Sequence, residues 1–205
     1  FSLVLILMGS YYILRPVRDA MASNWTDAEV SWLWTLTFIL SAVAVSVYGA
    51  AVARVSIRRL VPSVYCLFAN SFALFYLGTQ TLDHPVLLDK CFYVWVSLFS
   101  LFHLSVFWSF MADTFSKPQA TRLFGFIGAG ASIGGIGGPA LATLLVGDIG
   151  TDPLLLVAAA LIACAPFLII WLQRLKDSDL HNEKVSADPR AFDNIGGGAL
   201  AGFSE

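Results

Sequence analysis

The chain alternates between long apolar runs and short polar stretches, and the lengths of the runs set the secondary structure. A helix crossing roughly 30 Å of hydrocarbon needs about 20 residues at about 1.5 Å each. Six stretches approach that length: Phe1–Ser23, Ser31–Ala53, Leu60–Thr79, Cys91–Ala112, Leu123–Val146 and Leu154–Leu172. Between them lie the acidic Asn24–Val30, a basic stretch at Arg54–Arg59, a loop over Gln80–Lys90, a polar hinge over Asp113–Arg122 and a tight turn at Gly147–Pro153. The pattern predicts an all-α membrane protein, with a six-helix transmembrane bundle over 1–176 and a linker over 177–205. That linker is charged at first and then glycine-rich, too short and too flexible to form a domain.

Composition fixes the class. Hydrophobic residues make up 58% of the 205 and charged residues only 13%, against about 25% charged in a soluble domain. The net charge of −2 says little, but the placement of basic residues says more. Arg54, Arg58, Arg59, Lys117, Arg122, Arg174 and Lys176 fall on one side of the alternating spans, and Lys90 on the other. Short cytoplasmic loops carry the excess of Lys and Arg, so the first side is expected to be cytoplasmic and the chain to enter from there. The chain opens on Phe1 and reads as a fragment.

The first run is unlike the others. Phe1 to Leu14 carries no charge and is too short to span alone, so Arg15-Pro16-Val17-Arg18-Asp19 falls inside the helix. Spacings of three and four put Arg15, Arg18 and Asp19 on one face. Ionisable groups at membrane depth normally face a polar cavity and mark a substrate path, which makes this trio a candidate anion site. Pro16 removes a backbone donor and strains the carbonyl near Tyr12, as in the broken helices of transporters. The alternative is a pair of arginines snorkelling at the end of a longer span.

Other residues carry candidate roles. In the fifth run Gly128, Gly134 and Gly138 would let a neighbouring backbone approach, and Pro139 would bend the helix. His103 and Asn70 are intramembrane polar residues, read as a hydrogen-bonded packing residue with a possible proton role and as interhelical glue. Asp113 and Arg122 would orient the fourth and fifth helices, and His84 would be solvated in an outer loop. Cys66, Cys91 and Cys164 lack CxxC spacing and read as small buried hydrophobes. Phe126-Ile127-Gly128-Ala129-Gly130 could open a dinucleotide fold, but Ile133 replaces the third glycine and glycines crowd the place of its helix. No catalytic set or metal-ligand spacing appears, so neither an enzyme, a cofactor, a metal nor a nucleic-acid partner is expected.

Several stretches resemble the major facilitator superfamily. Gly49, Arg54 and Arg58 match the loop after its second helix, with Ala53 where that family usually has Asp. Gly125, Gly134 and Gly138-Pro139 fit the antiporter-type motif of its fifth helix, with Ala142 and Thr143 at the later glycine positions. Within it, Tyr12–Asp19, Phe107–Asp113 and Ala120–Gly125 resemble the bacterial and plastid nucleotide transporters, the ATP/ADP translocases. Departures fall at Asp113, Thr121 and Pro16-Val17. The resemblance implies about twelve helices, of which this chain would hold the N-terminal half-bundle, in a bacterial inner membrane. It implies exchange of an anionic, phosphorylated metabolite such as a nucleotide, bound by Arg15, Arg18 and Asp19, with Gly125, Gly134, Gly138, Pro139, Asp113 and Arg122 in packing and gating. The lipid bilayer and a missing C-terminal six-helix half would be its partners. The alternatives are a proton-coupled carrier of a drug or siderophore using His103 or Asp19, and a non-transporting membrane anchor or sensor.

Overall fold

The computed structural model describes residues 1–82, 86–115 and 117–183. Every regular element among them is a helix: α1 (Ser2–Ala22), α2 (Asp27–Val52), α3 (Ile57–Thr81), α4 (Val86–Thr114), α5 (Lys117–Ile149) and α6 (Pro153–Glu183). The order follows the six apolar runs, while several ends move for local reasons. Helix α2 starts at Asp27 because Thr26 caps it: the Thr26 hydroxyl accepts from the Glu29 N–H, and the Glu29 carboxylate accepts from the Thr26 N–H at 3.0 Å. Two orphan donors of the first turn are thereby satisfied, so half of the acidic Asn24–Val30 stretch is helix. The expected hinge Asp113–Arg122 also contracts, since α4 carries Asp113 in its last turn and α5 already contains Arg122. Helix α5 ends at Gly150, whose φ of 81° is the left-handed conformation that glycine adopts without penalty. Helix α6 continues past Leu172 to Glu183. His84 and the rest of the expected linker, 184–205, lie outside the described residues.

Among the described residues five helices are long and apolar enough to cross a membrane, and α1 is the exception because it carries Arg15, Arg18 and Asp19. Yet α1 is the helix the bundle is built around, packing along α4, α5 and α6. Leu7, Ile13, Leu14 and Val17 on its inner side are at most 2% exposed. On α6, Leu155, Ala158, Ile162, Ala165 and Ile169 recur every three or four residues and are fully buried, and the two alanines let α1 and α3 come close. The α3–α4 seam is aromatic: Phe99 meets Phe68 at 5.0 Å and Phe72 at 5.4 Å between ring centroids. Polar locks fix the rotation of α4 on α3. Trp95 Nε1 donates to Ser71 Oγ at 2.6 Å, and the Tyr65 hydroxyl donates to the His103 carbonyl at 2.8 Å.

Helices α1 and α5 lie side by side and run parallel. A Cβ added at Gly130 would meet the Phe1 carbonyl at 2.9 Å, one at Gly134 the Leu5 carbonyl at 2.5 Å, and one at Gly138 the Gly9 carbonyl at 2.6 Å. Glycines four apart thus form a flat strip on which the α1 backbone rests, the small-residue contact that lets helices associate in lipid. Gly125 and Gly128 are not part of it, for a Cβ at either would meet nothing within 4 Å. The strip takes in Gly130 in their stead.

The outer surface is apolar. Phe38, Ile136, Leu144 and Phe167 are each more than 70% exposed, and α2 buries only Leu33. Cys66, Cys91 and Cys164 are exposed as well, which corrects their expected burial. Cys66 and Cys164 turn toward the surface a bilayer covers, where a thiol rests as easily as in a core, while Cys91 lies near the end of α4.

Candidate functional site

A cavity of about 410 Å³ opens between α1, α2 and α4. Helix periodicity decides what lines it. The aromatic locks turn Phe92, Phe99, Val106 and Phe110 of α4 into the core. Tyr93, Ser97 and Ser100, on the adjoining face, therefore look across at α2. There Trp34, Thr37 and Ser41 supply the opposite wall, and Arg18 of α1 closes the site. The walls are in register. Trp34 and Tyr93 each lie seven residues into their helices, and Ser41 and Ser100 each fourteen, from starts at Asp27 and Val86. At 1.5 Å per residue the deepest pair is about 21 Å from those ends, near the middle of a bilayer.

Arg18 is the most fully partnered charge in the site. Its side chain is 16% exposed. Nε and Nη2 both donate to Asp19 Oδ1, at 3.0 and 2.7 Å, and Nη1 donates to Ser97 Oγ at 3.3 Å. The guanidinium carbon stands 5.2 Å from the centre of the Tyr93 ring, within range of a cation–π contact. Tyr93 is fixed in turn by Trp34, whose Nε1 donates to its hydroxyl at 2.8 Å, and by the edge of Trp25 at 5.7 Å. At the rim, Lys90 Nζ bonds Glu29 Oε1 at 2.7 Å and joins the start of α4 to that of α2.

Arg15 is held loosely. Its Nε lies 3.8 Å from Asp19 Oδ2, its side chain is 49% exposed, and it rests against Tyr12. Asp19 therefore bridges both arginines and leaves the trio with one net positive charge. All three share one face of α1, with Arg18 against α4.

The other polar candidates stand apart. His103 is 4% exposed; its Nδ1 pairs with the Phe99 carbonyl at 3.0 Å, its ring stacks on Tyr11 at 5.1 Å, and its Nε2 has no partner among the described residues. Asn70 is on the exposed face of α3, where it donates to the Cys66 carbonyl of its own helix at 2.9 Å and not across to a neighbour. Asp113 and Arg122 are exposed near the α4–α5 connection, away from the cavity. Pro139 lies within a continuous α5, its carbonyl accepting from Thr143.

The hydroxyl wall was not legible in advance. Thr37 and Ser41 are four apart, and Tyr93, Ser97 and Ser100 follow at four and three, all helical spacings. Serines and threonines are spread through both runs, however, and only the docking of α4 shows which ones share a space.

Apolar helices long enough to cross a membrane, with an arginine and hydroxyls around an open cavity, place the chain among multi-pass membrane proteins. A family model described as the Major Facilitator Superfamily matches residues 1–201, and the chain belongs to that family. No curated protein and no solved structure matches it. The six helices are a half-bundle of that fold.

Proposed function

We propose that this chain is the N-terminal half of a carrier that exchanges an anionic, phosphorylated metabolite such as a nucleotide by alternating access. Family membership gives a transporter, and the cargo must be read from the cavity. The observation that carries the reading is Arg18 on the cavity wall, one guanidinium edge on Asp19 and the other on Ser97. Guanidinium groups match phosphate geometry and form short, charge-assisted bonds. Asp19 occupies the arginines when no anion is present, and an entering phosphate takes its place on Arg15 and Arg18. The wide exposed faces of α2 and α5 support docking of a second six-helix half, with the glycine strip of α5 keeping α1 in register as the halves rock.

Replacing Arg15 and Arg18 together by glutamine is expected to abolish uptake of labelled ATP or ADP by cells or proteoliposomes while the protein still reaches the membrane. Undiminished uptake by that variant would refute the proposal. The basic loops support a bacterial inner-membrane protein with its N-terminal end inside. In that orientation the exposed Cys91 lies near the outer end of α4, so a membrane-impermeant thiol reagent should label it from outside and leave a Cys91→Ser variant unlabelled. Labelling only after the membrane is opened would reverse the orientation.

A second reading, proton-coupled transport of another small molecule, is favoured by one observation, the unpartnered Nε2 of the buried His103. It is separated from the first by the pH dependence of uptake, treated below.

A further inference from the structure

Helix α3 has two unlike faces. Val61, Tyr65, Phe68 and Phe72 are buried in the core, where α3 packs on α4 and α6. On the other face Ser63, Cys66, Asn70, Ala73 and Leu77 recur at alternating steps of three and four, the spacing of a seam between two helices. Ala73 is half-buried and the other four are exposed. None of the five lines the arginine cavity, and the faces proposed for the second six-helix half lie on α2 and α5.

One residue of this face is out of place in hydrocarbon. Asn70 lies near the middle of α3, about 20 Å along the helix from Ile57, at the depth of the bilayer centre. Its Nδ2 donates to the Cys66 carbonyl at 2.9 Å, which uses one of the two amide hydrogens. The second hydrogen and the side-chain carbonyl belong to an exposed side chain, on a face where lipid tails supply neither acceptor nor donor. A carboxamide carries donor and acceptor together, so the group that complements it best is another carboxamide. A second copy of the chain, inserted the same way up, sets its own α3 parallel to this one. A twofold axis along the membrane normal then brings each Asn70 against its counterpart, each donating to the other. A single Asn at one seam position fixes register and pairing in just this manner.

We infer that the exposed face of α3 is an interaction surface for a second copy of this chain, with Asn70 paired to Asn70 at its centre. Cys66, one turn away on the same face, is a built-in reporter. In such a pair the two Cys66 residues approach within the roughly 7 Å between Cα atoms that a disulfide spans.

The test uses the full-length carrier in its own membranes, with Cys91→Ser and Cys164→Ser so that Cys66 is the reporter, and a membrane-permeant oxidant. A disulfide-linked dimer is expected. A second variant that keeps Cys164 and carries Cys66→Ser and Cys91→Ser measures chance collision and should yield little dimer. Asn70→Leu should lower the Cys66 dimer about tenfold, the effect of losing two interhelical hydrogen bonds, and Asn70→Gln, which keeps the amide, should retain most of it. The Leu variant should reach the membrane in the native amount, because Asn70 bonds within its own helix. A Cys66 dimer no more abundant than the Cys164 one, or one unchanged by Asn70→Leu, overturns the proposal. So does a fall in melting temperature of the Leu variant without any Cys66 dimer in the native protein, which would place the partner of Asn70 within a single carrier.

Discussion

The guanidinium carbon of Arg18 stands 5.2 Å from the centre of the Tyr93 ring, and the Tyr93 hydroxyl accepts from Trp34 at 2.8 Å. One side chain on α4 thus positions the charge on α1 and an aromatic residue on α2. Tyr93→Phe keeps the ring face and loses the hydroxyl, while Tyr93→Leu loses both. We predict that the Phe variant costs about 1 kcal/mol, a hydrogen bond's worth. The Leu variant should cost about 1–2 kcal/mol more, read as melting temperature and anion affinity. Equal effects would mean that the ring face holds nothing.

The glycine strip makes a positional prediction. Alanine at Gly134 or Gly138 would put a Cβ 2.5 or 2.6 Å from an α1 carbonyl oxygen, inside van der Waals contact and against carbonyls that cannot rotate away. We expect either variant to lose several degrees of thermal stability in detergent. Gly125→Ala and Gly137→Ala, which meet nothing within 4 Å, should be neutral or gain up to about 1 kcal/mol from helix propensity. A reversed ranking would show that α1 and α5 are not in contact as described.

At the rim, the Lys90–Glu29 pair is partly exposed, with side chains 27% and 41% accessible. Exposed pairs are worth about 0.2–1 kcal/mol. Lys90→Glu should therefore destabilise modestly, and adding Glu29→Lys should restore part of the loss. The swap also removes the carboxylate that caps α2, so complete rescue is not expected. A double-mutant cycle with no coupling would show the pair to be incidental.

His103 separates the two transport readings. The exchange reading expects His103→Gln to keep nucleotide uptake and its pH profile between about pH 5 and 8, the range in which a histidine changes charge. Proton-coupled transport predicts that uptake driven by a pH gradient disappears in this variant while exchange without a gradient survives. Because Tyr11 stacks on the ring, some stability should be lost in either case, which is why the pH profile and not the rate is decisive.

The helices were legible because a run of apolar residues long enough to cross a bilayer admits few other structures. Their ends were less so. The capping pair Thr26 and Glu29 was present in the sequence but sat within a stretch that hydropathy alone reads as polar connection. The glycine strip was half visible, since spacing shows that glycines recur but not which of Gly125, Gly128 and Gly130 faces α1; that depends on the rotation of α5 against its neighbour. Arg15, Arg18 and Asp19 stood out as charges in an apolar run. The partners of Arg18, Tyr93 and Ser97, lie about 75–80 positions away on α4 and had no local signal, because a pairing across helices is created by packing and not by period.

Helix α1 packs against three neighbours, α4, α5 and α6, yet among the described residues it is the helix whose composition is unfit for lipid. Its residence in the bilayer must then depend on segments synthesised long after it, and biogenesis cannot be a simple sequence of independent insertions. A nascent chain stopped after Val52 should leave its first segment largely unintegrated, and release after α6 should bring it in; a glycosylation-site reporter placed ahead of Phe1 would read the difference.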